Sequence, residues 1–169
     1  MVEFREGSVL DSDAQTLVNT VNCAGVMGKG VALEFKKCFP DMYEEYAAKC
    51  GRGEVRPGMP YLFKPHDEQL DLFTPRRRPW VLNFPTKRHW RARSKLEDIV
   101  EGLRYLEQHY AEWGIQSLAV PPLGCGNGRL AWEEVGPILD RYFSRFDIPV
   151  TVYVPKGTPV QPMDRVPHG

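Results

Sequence analysis

The chain predicts an α/β fold, a mixed but largely parallel sheet with helices on both faces. Three observations point there. Short apolar or β-branched runs alternate with amphipathic runs along the chain. Two of those runs end in glycine loops that lead directly into helical periodicity, "GVMGKG" (25–30) and "GCGNG" (124–128). At 169 residues, with 42% hydrophobic and 26% charged side chains, the length and composition suit one domain that buries its own core.

Taken in order, "MVEFRE" alternates as a first short strand and "TLVNTVN" (16–22) follows as a β-branched one. After the first glycine loop, "VALEFKKCF" has the mixed apolar pattern of a helix that Pro40 stops. "DMYEEYAAKC" (41–50) reads as a second helix, with Asp41 as N-cap and Gly51 just past its end. "YLF" (61–63) and "WVLNF" (80–84) are strands. "SKLE" (94–97) is a capping box that opens the clearest helix, whose apolar residues recur from Leu96 to Trp113 until Gly114. "SLAVPPL" (117–123) is a buried strand, a helix runs from about Trp132 to Phe146, and "VTVYV" (150–154) is the last strand. The final residues, "PKGTPVQPMDRVPHG", carry four prolines and no apolar period, so residues 156–169 read as a tail or linker.

Composition excludes several classes. No stretch approaches the ~20 apolar residues of a membrane helix. The N-terminus lacks a signal-peptide pattern, so the expected location is the cytoplasm. Cys23, Cys38, Cys50 and Cys125 form no C-x-x-C pair and have no histidine at zinc-site spacing, so reduced, mostly buried thiols and no metal are expected. The formal net charge is zero, which excludes a simple polycation. The charge is uneven all the same. "RRR" (76–78) and "KRHWRAR" (87–93) hold seven of the 22 lysines and arginines.

In parallel sheets, ligands settle beyond the carboxyl ends of strands, near helix N-termini. Both glycine loops predict that position, where glycine lets the backbone approach an anion and a helix supplies free N–H donors. Two such loops in one small domain suggest a clamp around a diphosphate. Walker A fails, because Val31 and Ala32 follow Gly30 where Lys and Ser or Thr are needed, and G-x-G-x-x-G is absent from both loops. Taken alone, each loop could equally be a tight turn.

"GSVLDSDAQTLVNTVNCAGVMGKGVALEF", "LNFPTKRHWR" and "VPPLGCGNGRLAWEEV" together resemble the macrodomain family, the ADP-ribose-binding three-layer α/β/α fold, over residues 1–155. More narrowly they resemble its DarG-like branch of DNA ADP-ribosyl glycohydrolases, antitoxins to DarT-type toxins, which is related to the terminal ADP-ribose protein glycohydrolase. The resemblance implies that Asn22 bonds the distal ribose, that Gly28, Lys29, Gly30 and Val31 lie along the ribose and diphosphate, and that Gly124, Cys125, Gly126, Asn127 and Gly128 close over them. Val9 would offer backbone contacts near the adenine, and Tyr153 or its neighbour Val154, at the end of the last strand, would pack beside it. Ser8 stands where many macrodomains have an aspartate that binds the adenine amino group, which predicts softer adenine selectivity.

Lys87 is the first charge after a predicted buried strand and "FPT". A lysine there can protonate a leaving group or, with a lowered pKa, attack an anomeric carbon. The resemblance places the branch's essential lysine in this motif. The protein-directed relative carries an aspartate in its second glycine loop; Gly124–Arg129 has no carboxylate, which favours the DNA-directed reading. Cys125 is either a nucleophile or a small residue that permits close backbone approach. Arg88, His89, Trp90, Arg91 and Arg93 would hold phosphates and stack an unpaired base of single-stranded DNA, although Trp90 could instead anchor the following helix. The expected activity is removal of ADP-ribose from DNA bases, thymidine first, with no cofactor. The alternatives are a non-catalytic ADP-ribose reader and a glycohydrolase for protein side chains. The tail would lead toward a toxin-binding region.

Overall fold

The computed structural model describes residues 1–65 and 78–160. Strands β1 (Val2–Arg5), β2 (Thr16–Asn22), β3 (Tyr61–Phe63), β4 (Trp80–Lys87), β5 (Leu118–Val120) and β6 (Val150–Tyr153) form one sheet in the order β1-β6-β5-β2-β4-β3. Every neighbouring pair is parallel except β3 with β4. Helices α1 (Gly30–Cys38), α2 (Pro40–Gly51), α3 (Leu96–His109) and α4 (Trp132–Phe143) complete three layers.

Strand alternation divides the core in two. Leu17 and Val21 of β2 pack with Phe35, Met42 and Tyr46 of α1 and α2, while Val18 packs with Ile99, Leu103, Val135 and Leu139 of α3 and α4. All of these are buried. The parallel strands therefore deliver their carboxyl ends to one edge. Central β2 has β5 on one side and β4 on the other, so the loops after β2 and β5 and the end of β4 become neighbours there.

The register slips at that edge. Val21 pairs with Pro85, but Asn22 pairs with Lys87, leaving Thr86 as an extra residue in β4. Pro85 has no N–H to give the ladder, a physical reason for regular pairing to stop there. The sheet closes again with the Cys23 N–H donating to the Lys87 carbonyl at 3.0 Å. Strand β4 thus runs three residues beyond the expected "WVLNF", which brings Lys87 to the strand end itself.

Several local expectations are corrected. Ser94 does not cap α3: Lys95 occupies the N-cap position, and the Ser94 Oγ is buried with no partner. The Ser94 backbone N–H instead donates to the Gly128 carbonyl at 3.0 Å, which draws Ser94 away from the helix end. Asp41 does not cap α2 either. Pro40 occupies the first turn, and Asp41 forms a two-pronged pair with Arg78 at 3.1 and 3.2 Å that holds its carboxyl below the usual range. Helices α3 and α4 stop at His109 and Phe143, before the expected Trp113 and Phe146. A 3-10 turn over Val9–Asp11 went unpredicted. Cys38 is exposed and the other three thiols are half-buried, not mostly buried. Arg76, Arg77 and residues 161–169 of the tail lie outside the described residues.

Candidate active site

The first loop is built from the two asparagines of β2. Asn19, fully buried, donates to Asn83 on β4 at 3.1 Å and lies 3.8 Å from the Met27 sulfur; Asn83 donates to the Tyr61 hydroxyl at 3.1 Å. Met27, only 1% exposed, is the apolar anchor that pins the glycine loop to the core. Asn22 shapes the same loop from its other end. Its Oδ1 accepts from the Ala24 and Val26 N–H groups at 2.9 and 3.3 Å and from the Tyr46 hydroxyl at 2.9 Å, while its Nδ2 donates to the Val26 carbonyl at 2.7 Å. The side chain is therefore fixed in place rather than free to swing. Beyond it Gly28 and Lys29 are exposed and Val31 is half-buried. Gly30 opens α1 at φ +58°, and Lys29 gives the first turn no side-chain cap, so the helix N–H groups face the loop.

The second loop folds back on itself. The Leu130 N–H donates to the Gly124 carbonyl at 2.9 Å and the Arg129 N–H to the Gly126 carbonyl at 3.0 Å. Gly128 is packed so closely that a Cβ there would lie 2.5 Å from the Gly124 carbonyl oxygen and against the Ser94 hydroxyl. The loop is thereby fastened to the segment leading into α3. Asn127 reaches across to the first loop, its Nδ2 3.5 Å from where a Cβ of Gly30 would stand. The two loops meet, as a two-sided clamp requires.

Lys87 sits beside them. Its Nζ donates to the Trp90 carbonyl at 3.2 Å. Partial burial, and then the positive charges of Arg129 and Lys29, lower its pKa from the ordinary lysine value. Both charged groups bearing on it are cations, so the mouth of the clamp is a site of concentrated positive charge suited to an anionic ligand. Asn22 and Lys87, far apart in sequence, are paired in register at adjacent strand ends.

The basic strip divides. Arg88 is committed to buried Asp98 on α3, with both bonds at 3.4 Å. Trp90 is 41% exposed, which rules out its role as a core anchor. Its ring stacks with His89 at 5.4 Å and lies under the Arg91 guanidinium at 4.4 Å. Arg93 is exposed nearby in sequence. The strip thus presents a ready-made aromatic and cationic platform, without Arg88.

At the far end of the same sheet edge, Tyr153 is buried against Gly7. Ser8 turns its hydroxyl inward to accept the Leu10 N–H at 3.3 Å, and Val9 is buried in the 3-10 turn. A short polar residue that caps its own turn is less available to a ligand than an aspartate would be. Among the described residues no group of three His, Cys, Asp or Glu side chains is arranged to hold a metal. A groove of about 480 Å³ between β3 and the end of α3, lined by Tyr61, Lys64, Tyr105 and Trp113, contains neither glycine loop and neither Asn22 nor Lys87.

Cys125 is half-buried, its Sγ 3.5 Å from the Leu123 carbonyl, and burial with the negative charge of Glu133 pushes its pKa up to about 11. A thiol held protonated is a poor nucleophile. Cys125→Ala is expected to keep its reaction rate within about twofold of wild type, measured as product released per minute. The residue that sequence reasoning missed is Arg129, whose effect on Lys87 appears only once the loop is folded.

The macro domain model matches residues 18–139. The DNA ADP-ribosyl glycohydrolase of Mycobacterium tuberculosis is 46% identical over 158 residues, covering 93% of this chain and 43% of the relative. The structure of the M. tuberculosis DarG macrodomain superimposes with a TM-score of 0.81 at 44% identity, covering 92% of this chain and 98% of that one. A DNA ADP-ribosyl transferase–DNA ADP-ribosyl glycohydrolase fusion protein of Thermosipho africanus is 43% identical over 159 residues, 89% of this chain and 41% of the relative. The T. africanus DarTG structure in complex with ADP-ribose gives a TM-score of 0.86 at 42% identity, covering 95% of this chain and 43% of that one. The chain spans less than half the length of these curated relatives. With two glycine loops meeting at the carboxyl edge of a six-stranded sheet, the chain belongs to the macrodomain family.

Proposed function

We propose that this protein is a DNA ADP-ribosyl glycohydrolase, which hydrolyses the N-glycosidic bond between the ribose C1″ of ADP-ribose and a DNA base, thymine first. The observation that carries this reading is the pairing of Asn22 with Lys87 at the mouth of the double glycine loop. The relatives' names point the same way, and the T. africanus fusion joins a DNA ADP-ribosyl transferase to the glycohydrolase. A DarT-type transferase is accordingly the proposed partner, with this chain its antitoxin.

Bond cleavage leaves positive charge on the ribose and needs a proton for the departing base. The loops would hold the diphosphate through backbone N–H groups, and such orientation contributes several kcal/mol in favourable cases. Asn22, locked by Tyr46 and the loop backbone, would bond a ribose hydroxyl through its second Nδ2 hydrogen. Lys87 would either give its proton to the departing base while water adds to C1″, or, as the free amine, displace the base from C1″. In the second case the base takes its proton from water, and a second water then releases ADP-ribose from Nζ. The lowered pKa of Lys87 serves both roles. The His89–Trp90–Arg91 platform would take the neighbouring single-stranded bases, since a base modified on its pairing edge cannot stay paired.

The test uses two substrates: a single-stranded oligonucleotide carrying ADP-ribosyl-thymidine, and a peptide ADP-ribosylated on an acidic side chain. The expected result is release of unmodified oligonucleotide with little release of peptide. Preferential release of peptide would move the activity to protein substrates. Tight binding of ADP-ribose without release from either would make the protein a reader.

A further inference from the structure

Among the described residues, Arg129 is the only non-glycine with a left-handed backbone, at φ +63°. For an arginine that conformation is unfavourable, and such residues persist where the surrounding structure fixes them, often at functional sites. Two loop hydrogen bonds and the Ser94–Gly128 bond do the fixing. The side chain gains nothing internal in return. Arg5, Arg52, Arg78, Arg88 and Arg145 all pair with carboxylates. Arg129, among the described residues, makes neither an ion pair nor a side-chain hydrogen bond, and it is exposed beside another cation.

A loop that strains its backbone to present an unpaired guanidinium, next to Asn127 where the two glycine loops meet, needs an anion to justify the arrangement. Lys29, at the N-cap of α1, stands beside the first loop, and Lys87 is given to the scissile bond, so Arg129 is the cation left for a phosphodiester of the strand that carries the modified base. Resting on the glycohydrolase reading above, we infer that Arg129 is a specificity-determining residue that binds a phosphate oxygen of the substrate beside Lys87. The shared chemistry is phosphate, from the strand or from the diphosphate. A guanidinium suits it because it can grip two oxygens at once.

The test compares wild type with Arg129→Gly and Arg129→Lys. Glycine tolerates the left-handed backbone, so Arg129→Gly should melt at or above the wild-type temperature. It should nevertheless lower kcat/KM on the ADP-ribosyl-thymidine oligonucleotide about tenfold, mainly through KM. The slope of oligonucleotide affinity against log salt should also fall by the ~0.7 expected for one lost single-strand phosphate contact. Arg129→Lys should recover part of both. Nuclear magnetic resonance of the Lys87 ε-methylene should show its pKa rise in Arg129→Gly, because a neighbouring cation has gone.

Unchanged affinity for free ADP-ribose in Arg129→Gly would assign the contact to the strand, and a matching loss of that affinity would assign it to the diphosphate. Unchanged kcat/KM, ADP-ribose affinity and salt slope would overturn the inference. So would a fall in melting temperature with no rescue by lysine, which would make the residue structural. Should wild type release nothing, the glycohydrolase reading fails, while ADP-ribose affinity and the salt slope still decide Arg129.

Discussion

Lys87→Ala is expected to lose about 100- to 10 000-fold in release of ADP-ribose from the thymidine-modified oligonucleotide, the usual range for removing a positioned proton donor or base. Affinity for free ADP-ribose should stay within about threefold if, as proposed, Lys87 acts on the bond that breaks and the glycine loops hold the diphosphate. Single-turnover mass spectrometry and calorimetry check the two halves. The pH profile of wild type then separates the two roles of the lysine. Its pKa lies below the ordinary lysine value because of partial burial and the adjoining Arg129 and Lys29. If Lys87 donates a proton, activity falls as pH rises through that lowered value; if it attacks as the free amine, activity rises there. A Lys87→Ala enzyme as fast as wild type would remove the lysine from the mechanism and leave the clamp intact.

Gly128→Ala is expected to damage both fold and site. A Cβ at this position lies 2.5 Å from the Gly124 carbonyl, a backbone atom that cannot swing aside, and collides with the Ser94 hydroxyl. The loop must move or the segment before α3 must. Overpacking of this kind costs about 1–3 kcal/mol, or roughly 2–10 °C in melting temperature for a domain of this size. Affinity for ADP-ribose should fall at least about tenfold, since the second half of the clamp loses its fastening. Gly126→Ala is the control, as its Cβ would meet nothing. Equal melting temperatures and affinities for the two variants would show that the Ser94–Gly128 contact does not hold the loop.

Much of this was legible in the sequence, for identifiable reasons. β2 and β3 were read to the residue because a β-branched or apolar run bounded by turn residues has few other options. The two glycine loops marked the carboxyl edge of the sheet because parallel topology sends strand ends there. Helix ends and the short 3-10 turn after Ser8 failed on local detail, and the two capping errors are long-range. Ser94 looks like a helix cap until Gly128, far along the chain, takes its N–H. Asp41 looks like one until Arg78 takes its carboxylate. Trp90 could be core or surface by composition, and only the turn after β4 decides that it is surface. The extra residue at Thr86, which aligns Lys87 with Asn22, has a partial signal in Pro85. The left-handed Arg129 has none, since no residue pattern announces a strained arginine.

The central claim is that the two glycine loops are halves of one ADP-ribose clamp, with Asn22 and Lys87 at its mouth. The most direct measurement is titration of ADP-ribose into isotopically labelled protein, followed by amide resonances. Gly28–Val31 and Gly124–Gly128 are expected to shift together at one affinity, along with Ser8 and Tyr153 at the proposed adenine end. Shifts confined to one loop, or centred on the groove between β3 and α3, would contradict it.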